Sequence, residues 1–277
     1  FILICVTHLT AQNTTRNPRP IGEEAFSILK ETFEYDRNIP LDVRIVKTDS
    51  LVYYNREKFV ITGGWGERIT GYLVLPNKGR GPFPCILALH SKGRSKDIWF
   101  MFTFEKFTEE LVNNGYAVLC LDAQFHGERS KNNDFIIPDK NTYRYRNLYT
   151  ETVTDYRRAL DYLETRSDID SEKIGICGID LGGYMSIILS AVDPRIKTAV
   201  NCLSAGSDTH DYAPRIETTA ILTLLNKKDS NYTIGEGEYF HQQVAGKNKA
   251  LKWYDSDNTL PYNWIKDATN WFYRFFK

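Results

Sequence analysis

Gly178-Ile179-Asp180-Leu181-Gly182-Gly183 decides the reading of this chain. Residues 173–177 before it are a short apolar run with β character, and residues 184–192 after it are an apolar helical segment. A strand that turns sharply through glycines into a helix leaves the side chain at its apex alone at the helix N-terminus. That is the pattern of a nucleophile elbow, and the residue it presents here is Asp180.

Outward from the elbow, strand, loop and helix alternate. Residues 85–89 precede a helical stretch at 98–112, residues 117–121 precede one at 152–163, and residues 174–177 lead into 184–192. Such alternation predicts a parallel sheet with right-handed crossovers. Residues 198–203, 220–225 and 251–254 read as further strands, with helices near 237–244 and 265–276. Upstream, 43–46, 58–62 and 68–75 alternate apolar and polar residues, as antiparallel strands at one sheet edge do. The expected fold is α/β, a mostly parallel, doubly wound sheet of about eight strands with helices on both faces. An amphipathic stretch at 23–35, with Phe26, Ile28, Leu29 and Phe33 on one side, marks 12–57 as an N-terminal helix and extension before a domain at 58–277. The polar, tyrosine-rich segment 129–149 is expected to pass over the site.

With 277 residues and 42% hydrophobic content, the chain can bury one large core. Lys and Arg number 35, as do Asp and Glu, so the net charge is zero. No electrostatic footprint for nucleic acid or an anionic membrane is expected, and a small molecule or neutral polymer is the expected partner. Residues 1–11 read as the tail of a secretory signal cut near Ala11, which places the protein in a secreted or periplasmic setting; a buried N-terminal strand is the alternative. Cys85, Cys120, Cys177 and Cys202 lie in or beside apolar runs without zinc-motif spacing and are expected as buried thiols.

Ligands of doubly wound sheets sit at the carboxyl ends of the strands. The loops there read His90-Ser91-Lys92-Gly93, Asp122-Ala123-Gln124-Phe125-His126-Gly127-Glu128-Arg129, Asn226-Lys227-Lys228-Asp229 and Asp255-Ser256-Asp257-Asn258. From about Phe59 to Lys277 this order resembles an α/β-hydrolase of the dienelactone hydrolase and acetyl-xylan esterase kind. The resemblance implies a Ser, acid and His triad. This chain keeps the acid as Asp229, but has Asp180 where that family has serine, Asn258 where it has histidine, and His90-Ser91 for the usual His-Gly. It also implies an oxyanion site made by the amide of Leu181 and one from Ser91 or Lys92.

Serine attack needs an imidazole to take the hydroxyl proton and an acid to orient that imidazole. Neither hydroxyl nor base stands at the matching positions, so ordinary esterase turnover is not expected. Three readings follow. The chain is a pseudo-hydrolase binding a small ester-like or carbohydrate ligand, with Tyr143, Tyr145, Tyr149 and Trp99 as stacking surfaces if they are not ordinary packing. Or Asp180 is itself a nucleophile, as in haloalkane dehalogenases and epoxide hydrolases, with His210 as displaced base. Or the cleft is filled by side chains and the role is structural. Asp180, Asp229 and Asn258 are expected to converge, with water rather than a cation filling the space, so neither metal nor cofactor is expected. The Asp180 carboxylate, at a helix N-terminus, is expected to occupy the oxyanion seat itself.

Overall fold

The computed structural model describes residues 19–130 and 143–276. Residues 1–11, read as a secretory leader, and the middle of the expected excursion lie outside the described residues. All nine runs read as strands are strands, one more than the expected eight: β1 (Arg44–Ser50), β2 (Tyr54–Thr62), β3 (Arg68–Pro76), β4 (Phe83–Leu89), β5 (Ala117–Leu121), β6 (Ile169–Ile179), β7 (Ile196–Cys202), β8 (Ala220–Asn226) and β9 (Lys249–Tyr254). They form one sheet in the order β1-β2-β3-β5-β4-β6-β7-β8-β9. The first three pair antiparallel and β3 meets β5 antiparallel, while β4 to β9 run parallel.

The central strands alternate between two covered faces. Leu87, Leu89, Leu119 and Leu121 belong to a core shared with α1 (Glu23–Glu31), α3 (Tyr143–Glu164), α4 (Leu181–Val192) and α5 (Ile234–Gln243). Ile86, Ala88, Val118 and Cys120 face the other core, built with α2 (Phe102–Asn113) and α6 (Trp264–Phe276). Both faces are buried, which is why these strands read as continuous apolar runs. The four cysteines from Cys85 onward are free and buried, as their setting predicted.

Three boundaries differ from expectation. α1 ends at Glu31 instead of reaching Tyr35, because Thr32 closes the turn with its hydroxyl on the Leu29 carbonyl. The stretch at 98–112 is two pieces, a 3₁₀ turn at Lys96–Phe100 and then α2, separated by extended Met101. α3 begins at Tyr143, not 152, so the end of the expected excursion is its first turns.

Polar clamps fix the N-terminal extension. Phe26 and Phe33 pack edge-on against Tyr212, with ring centroids 6.1 and 6.4 Å apart. Arg157 donates to the Phe33 carbonyl and Arg158 to the Ile39 carbonyl, each at 2.6 Å. Asp161, 7% exposed, accepts from Arg158, Arg195 and the Tyr35 hydroxyl. Burial, with Asp161 beside it, pushes the Tyr35 phenol up to about 12.

Removing one member of a buried ion network strands the others. Asp161→Ala leaves the buried Arg158 guanidinium without its carboxylate and is predicted to cost about 3–5 kcal/mol in urea denaturation. A loss below about 1 kcal/mol would mean that solvent already screens the cluster.

Candidate functional site

Strand order reverses between β4 and β6: from β4 the chain crosses to β5 on one side, then returns to β6 on the other. The carboxyl ends of these two strands therefore flank the crevice where doubly wound sheets hold ligands. Asp180 follows β6, and Lys92 follows β4. The turn between β6 and α4 is forced against its neighbours. A Cβ on Gly178 would run into the Gly182 carbonyl, one on Gly182 into the Leu89 carbonyl, and one on Gly183 would lie 2.6 Å from the Cys202 carbonyl. Close approach, rather than special φ, explains these glycines. The backbone strain sits on Asp180 itself, at φ 54 and ψ −112, a region costly for any residue with a side chain. Its N–H bonds the Cys202 carbonyl at 2.9 Å and its carbonyl starts α4 by accepting from Tyr184 at 3.0 Å.

The Asp180 side chain turns into the seat expected of an oxyanion. Lys92 N–H donates to Oδ2 at 3.0 Å, and the Leu181 amide also acts on the carboxylate. Burial nevertheless wins: it raises the Asp180 pKa above the ordinary carboxylate value, against the lowering by those two amides and the Lys92 charge, while Asp229 adds a small further rise. A helix N-terminus alone would have favoured the anion; desolvation outweighs it here.

The donating amide is braced from behind. Ala123 N–H donates to His90 Nε2 at 2.9 Å, which leaves the ring proton on Nδ1, 2.9 Å from the Ser91 carbonyl. Ser91 and Lys92 share that peptide unit, so His90 holds the very group whose N–H reaches Asp180. The His126 ring lies beside His90, tilted by 50° with centroids 5.2 Å apart. Burial pushes His90 down to about 4 and lowers His126.

Asp180 stands where two cavities meet, and Lys92, Leu203 and Asn231 line both with it. One, about 510 Å³, also has Asp229, Asn258, Ser91, Arg94, Phe104 and Trp264 on its walls. Asp180, Asp229 and Asn258 thus border the same cavity, and the hydrogen bonds that hold the last two go to other residues. Asp229 Oδ1 accepts from the Asn231 backbone at 2.8 Å and its side chain at 3.0 Å. Asn258 accepts from Ser230 N–H at 3.0 Å and donates to Ser230 Oγ at 3.1 Å. Among the described residues, no group of three or more His, Cys, Asp or Glu is arranged to hold a metal.

The second cavity, about 280 Å³, is walled by Leu181, Tyr145, Tyr149, Tyr184, Tyr232 and Asp208 among others. Cavities open on both sides of Asp180, so side chains do not fill the cleft. His210, taken as a displaced base, is 1% exposed, packs on Tyr239 at 4.8 Å and lines neither cavity. Burial lowers its pKa, and it is a core residue. For Trp99 ordinary packing holds: it is fully buried against Phe104 and Phe107. Tyr143 is exposed at the start of α3, and only Tyr145 and Tyr149 of that trio reach the cavity.

Residues 69–257 match the sequence pattern of the dienelactone hydrolase family. The chain belongs to that family. Among curated proteins, this family member is 29% identical to YtaP of Bacillus subtilis, named as a hydrolase, over 63% of the chain and 62% of YtaP. It is 25% identical to acetyl esterase Axe7A of Xylanibacter ruminicola over 72% of the chain and 46% of Axe7A. The chain thus spans less than two thirds of the curated relatives it matches. Among solved structures, acetyl xylan esterase 1 of Thermoanaerobacterium sp. superposes with a TM-score of 0.75 at 15% identity, covering 94% of this chain and 96% of that one. A cold-adapted esterase from an Arctic intertidal metagenomic library gives 0.70 at 20% identity, with 84% and 98% covered. At such identities the structural likeness establishes the α/β-hydrolase fold.

Several wall residues of this dienelactone hydrolase family member escaped the sequence reading. Tyr184 had a usable signal, since it lies one helical turn after Asp180. Tyr232, Asp208 and Arg94 had none, because loop course decides their position. Lys96, fully buried, was also missed: its ammonium bonds Asp122 and Glu128, each at 2.6 Å, and holds the loop after β5. Nearby, Arg129 pairs with buried Asp155 and lies 3.5 Å from Glu67, one guanidinium for two carboxylates.

Asp180→Gly is predicted to stabilise the fold by about 1 kcal/mol through relief of the strained backbone. Because the raised pKa makes the charged carboxylate the costlier form, the gain should be larger at pH 7 than at pH 4 in thermal denaturation. For His90 the sign is opposite: the buried neutral ring contributes stability that is full above pH 6.5 and lost as pH falls toward about 4. His90→Ala should therefore cost most near pH 7, about 1–3 kcal/mol for the stranded Ala123 amide and the lost brace, with the difference from wild type shrinking on acidification.

Proposed function

We propose that this protein is a ligand-binding member of its esterase-containing family that no longer hydrolyses esters through a serine. The observation that carries the reading is the Lys92 amide on the Asp180 carboxylate: a side-chain oxygen already occupies a donor that would otherwise meet the oxygen of a tetrahedral intermediate. An acyl carbonyl would find no hydroxyl at the elbow to attack it, and the Lys92 and Leu181 amides already engaged by Asp180. The base is missing as well, because an amide side chain takes no proton near neutrality and Asn258 is committed to Ser230 at both ends. A small ester-like or sugar ligand fits the two cavities beside Asp180, and acetyl esterase and acetyl xylan esterase among the similar proteins favour the same class.

The double change Asp180→Ser with Asn258→His tests this reading. Release of p-nitrophenol from p-nitrophenyl acetate by the double variant, at rates well above the wild type, is the expected outcome. Wild-type turnover that Asp180→Ala abolishes would overturn the reading.

One observation keeps the aspartate-nucleophile reading in play. The Asp180 carboxylate borders both cavities and can attack an alkyl carbon there, the new O–C bond forming as halide leaves or as the epoxide C–O bond opens. Without a base to direct water, the resulting alkyl ester would persist. Intact-protein mass spectrometry after exposure to short alkyl halides and epoxides should then show a stable adduct mapping to Asp180, and an unmodified mass across the panel removes this second reading.

A further inference from the structure

Three elements meet at a buried charge cluster around Asp155 of α3. The turn between β2 and β3 lies flush on that helix: a Cβ on Gly64 would run into Thr154, and one on Gly63 would come within 2.7 Å of both Glu67 Oε1 and Asp155 Oδ1. Gly63 thus leaves room for two carboxylates that converge on one spot. The third element is the loop after β5, whose Arg129 bonds Asp155 Oδ2 at 2.5 Å and stands 3.5 Å from Glu67 Oε1.

Donors and acceptors do not balance there. Asp155 is fully buried, and its Oδ1 and both carboxylate oxygens of Glu67 have no hydrogen-bond donor among the described residues. Carboxylate oxygens gathered at one dry spot without a donor repel each other. One proton between them turns that repulsion into a charge-assisted hydrogen bond and leaves a single negative charge, which is what one guanidinium can neutralise. The other charged groups nearby do not supply the donor. Glu151, one turn earlier on α3, adds negative charge and is bonded by the Gln124 side chain. Arg68 and Arg158 reach the same turn but bond Thr62 Oγ1 and the Thr62 carbonyl, and the Tyr156 hydroxyl donates to the Ala88 carbonyl. Burial outweighs Arg129 and, with Glu67 alongside, lifts the Asp155 carboxyl to about 7. A proton held this way stays in mild acid and leaves as the pH rises past neutrality.

We propose that Asp155 and Glu67 share a single proton that fastens the first turns of α3 to the β2–β3 turn and to the loop after β5. Tyr145 and Tyr149 on those turns wall the cavity beside Asp180, and Thr152 Oγ1 accepts from the Gln124 amide of the same loop at 2.9 Å. Protonation holds this wall in place. Its loss leaves two negative charges on one guanidinium and loosens the wall. The clamp acts on the wall whatever the cavity binds, and so stands apart from the ligand-binding reading above.

Carbon-13 NMR of the side-chain carboxyls, recorded together with backbone amide shifts on the full chain from about pH 5 to 9, tests the proposal. The Asp155 and Glu67 carboxyl resonances are expected to move together with one midpoint near 7, and the amides of residues 143–152 to shift at that same midpoint. In Glu67→Gln the side-chain amide replaces the proton as donor to Asp155 Oδ1, so both changes leave the neutral range. At about pH 8 the 143–152 amides of the wild type should exchange with solvent about tenfold faster than those of Glu67→Gln at the same pH. An Asp155 that stays ionised throughout, or titrates without Glu67, or keeps its midpoint in Glu67→Gln, overturns the shared proton. Joint titration to which residues 143–152 do not respond overturns the clamp. The wild-type titration decides the shared proton by itself should Glu67→Gln fail to fold.

Discussion

The carboxyl edge of the sheet is governed by backbone crowding where β6 turns into α4. Gly182 presses on the end of β4, Gly183 on the end of β7, and the Asp180 amide is bonded to Cys202 of that same strand. No side chain fits at these glycine positions, so the turn has one course and whatever residue occupies its apex is thrust between the loops that follow β4 and β7. The strain at Asp180 is the local expense of that course, and it is independent of whether the apex carries a hydroxyl or a carboxylate.

Given that course, the Asp180 carboxylate meets amides already aimed at the crevice. One belongs to the Ser91–Lys92 peptide, which cannot rotate away while His90 grips its carbonyl and Ala123 grips His90. The same amides that would meet a developing oxyanion here meet a side-chain oxygen, and burial disfavours its charged form. On the opposite wall Asn258 and Ser230 satisfy one another, and Asp229 is engaged by Asn231.

The elbow, the parallel strands and the loops carrying Asp180, Lys92, Asp229 and Asn258 were legible because each rests on short-range rules: apolar periodicity, glycine at points of close approach, and chain order at the sheet edge. What could not be read depends on distance in space. Whether His210 faces ligand or core is decided by its packing on Tyr239, 29 residues further on, and Trp99 is drawn inward by α2. The early start of α3 escaped because Tyr143 to Tyr149 is polar and aromatic, a composition that local propensity assigns to loops, while the buried Leu148 and the packing of Tyr149 on Tyr184 hold it helical. The balance between a helix N-terminus and burial at Asp180 was likewise beyond the sequence, since it turns on how much water the surrounding loops exclude.

Arg129, shared between Asp155 and Glu67, carries a consequence for the whole molecule. One guanidinium cannot neutralise both acids, and burial lifts Asp155 to about 7, so the native protein takes up a proton there that the unfolded chain releases near 3.8. His90 does the reverse, refusing between about 4 and 6.5 a proton that the unfolded chain accepts. Over that common interval the two linkages oppose each other, Asp155 favouring the fold as acidity rises and His90 as it falls. The two contributions thus partly cancel each other over that interval, although neither group is exposed to the solvent whose acidity it answers.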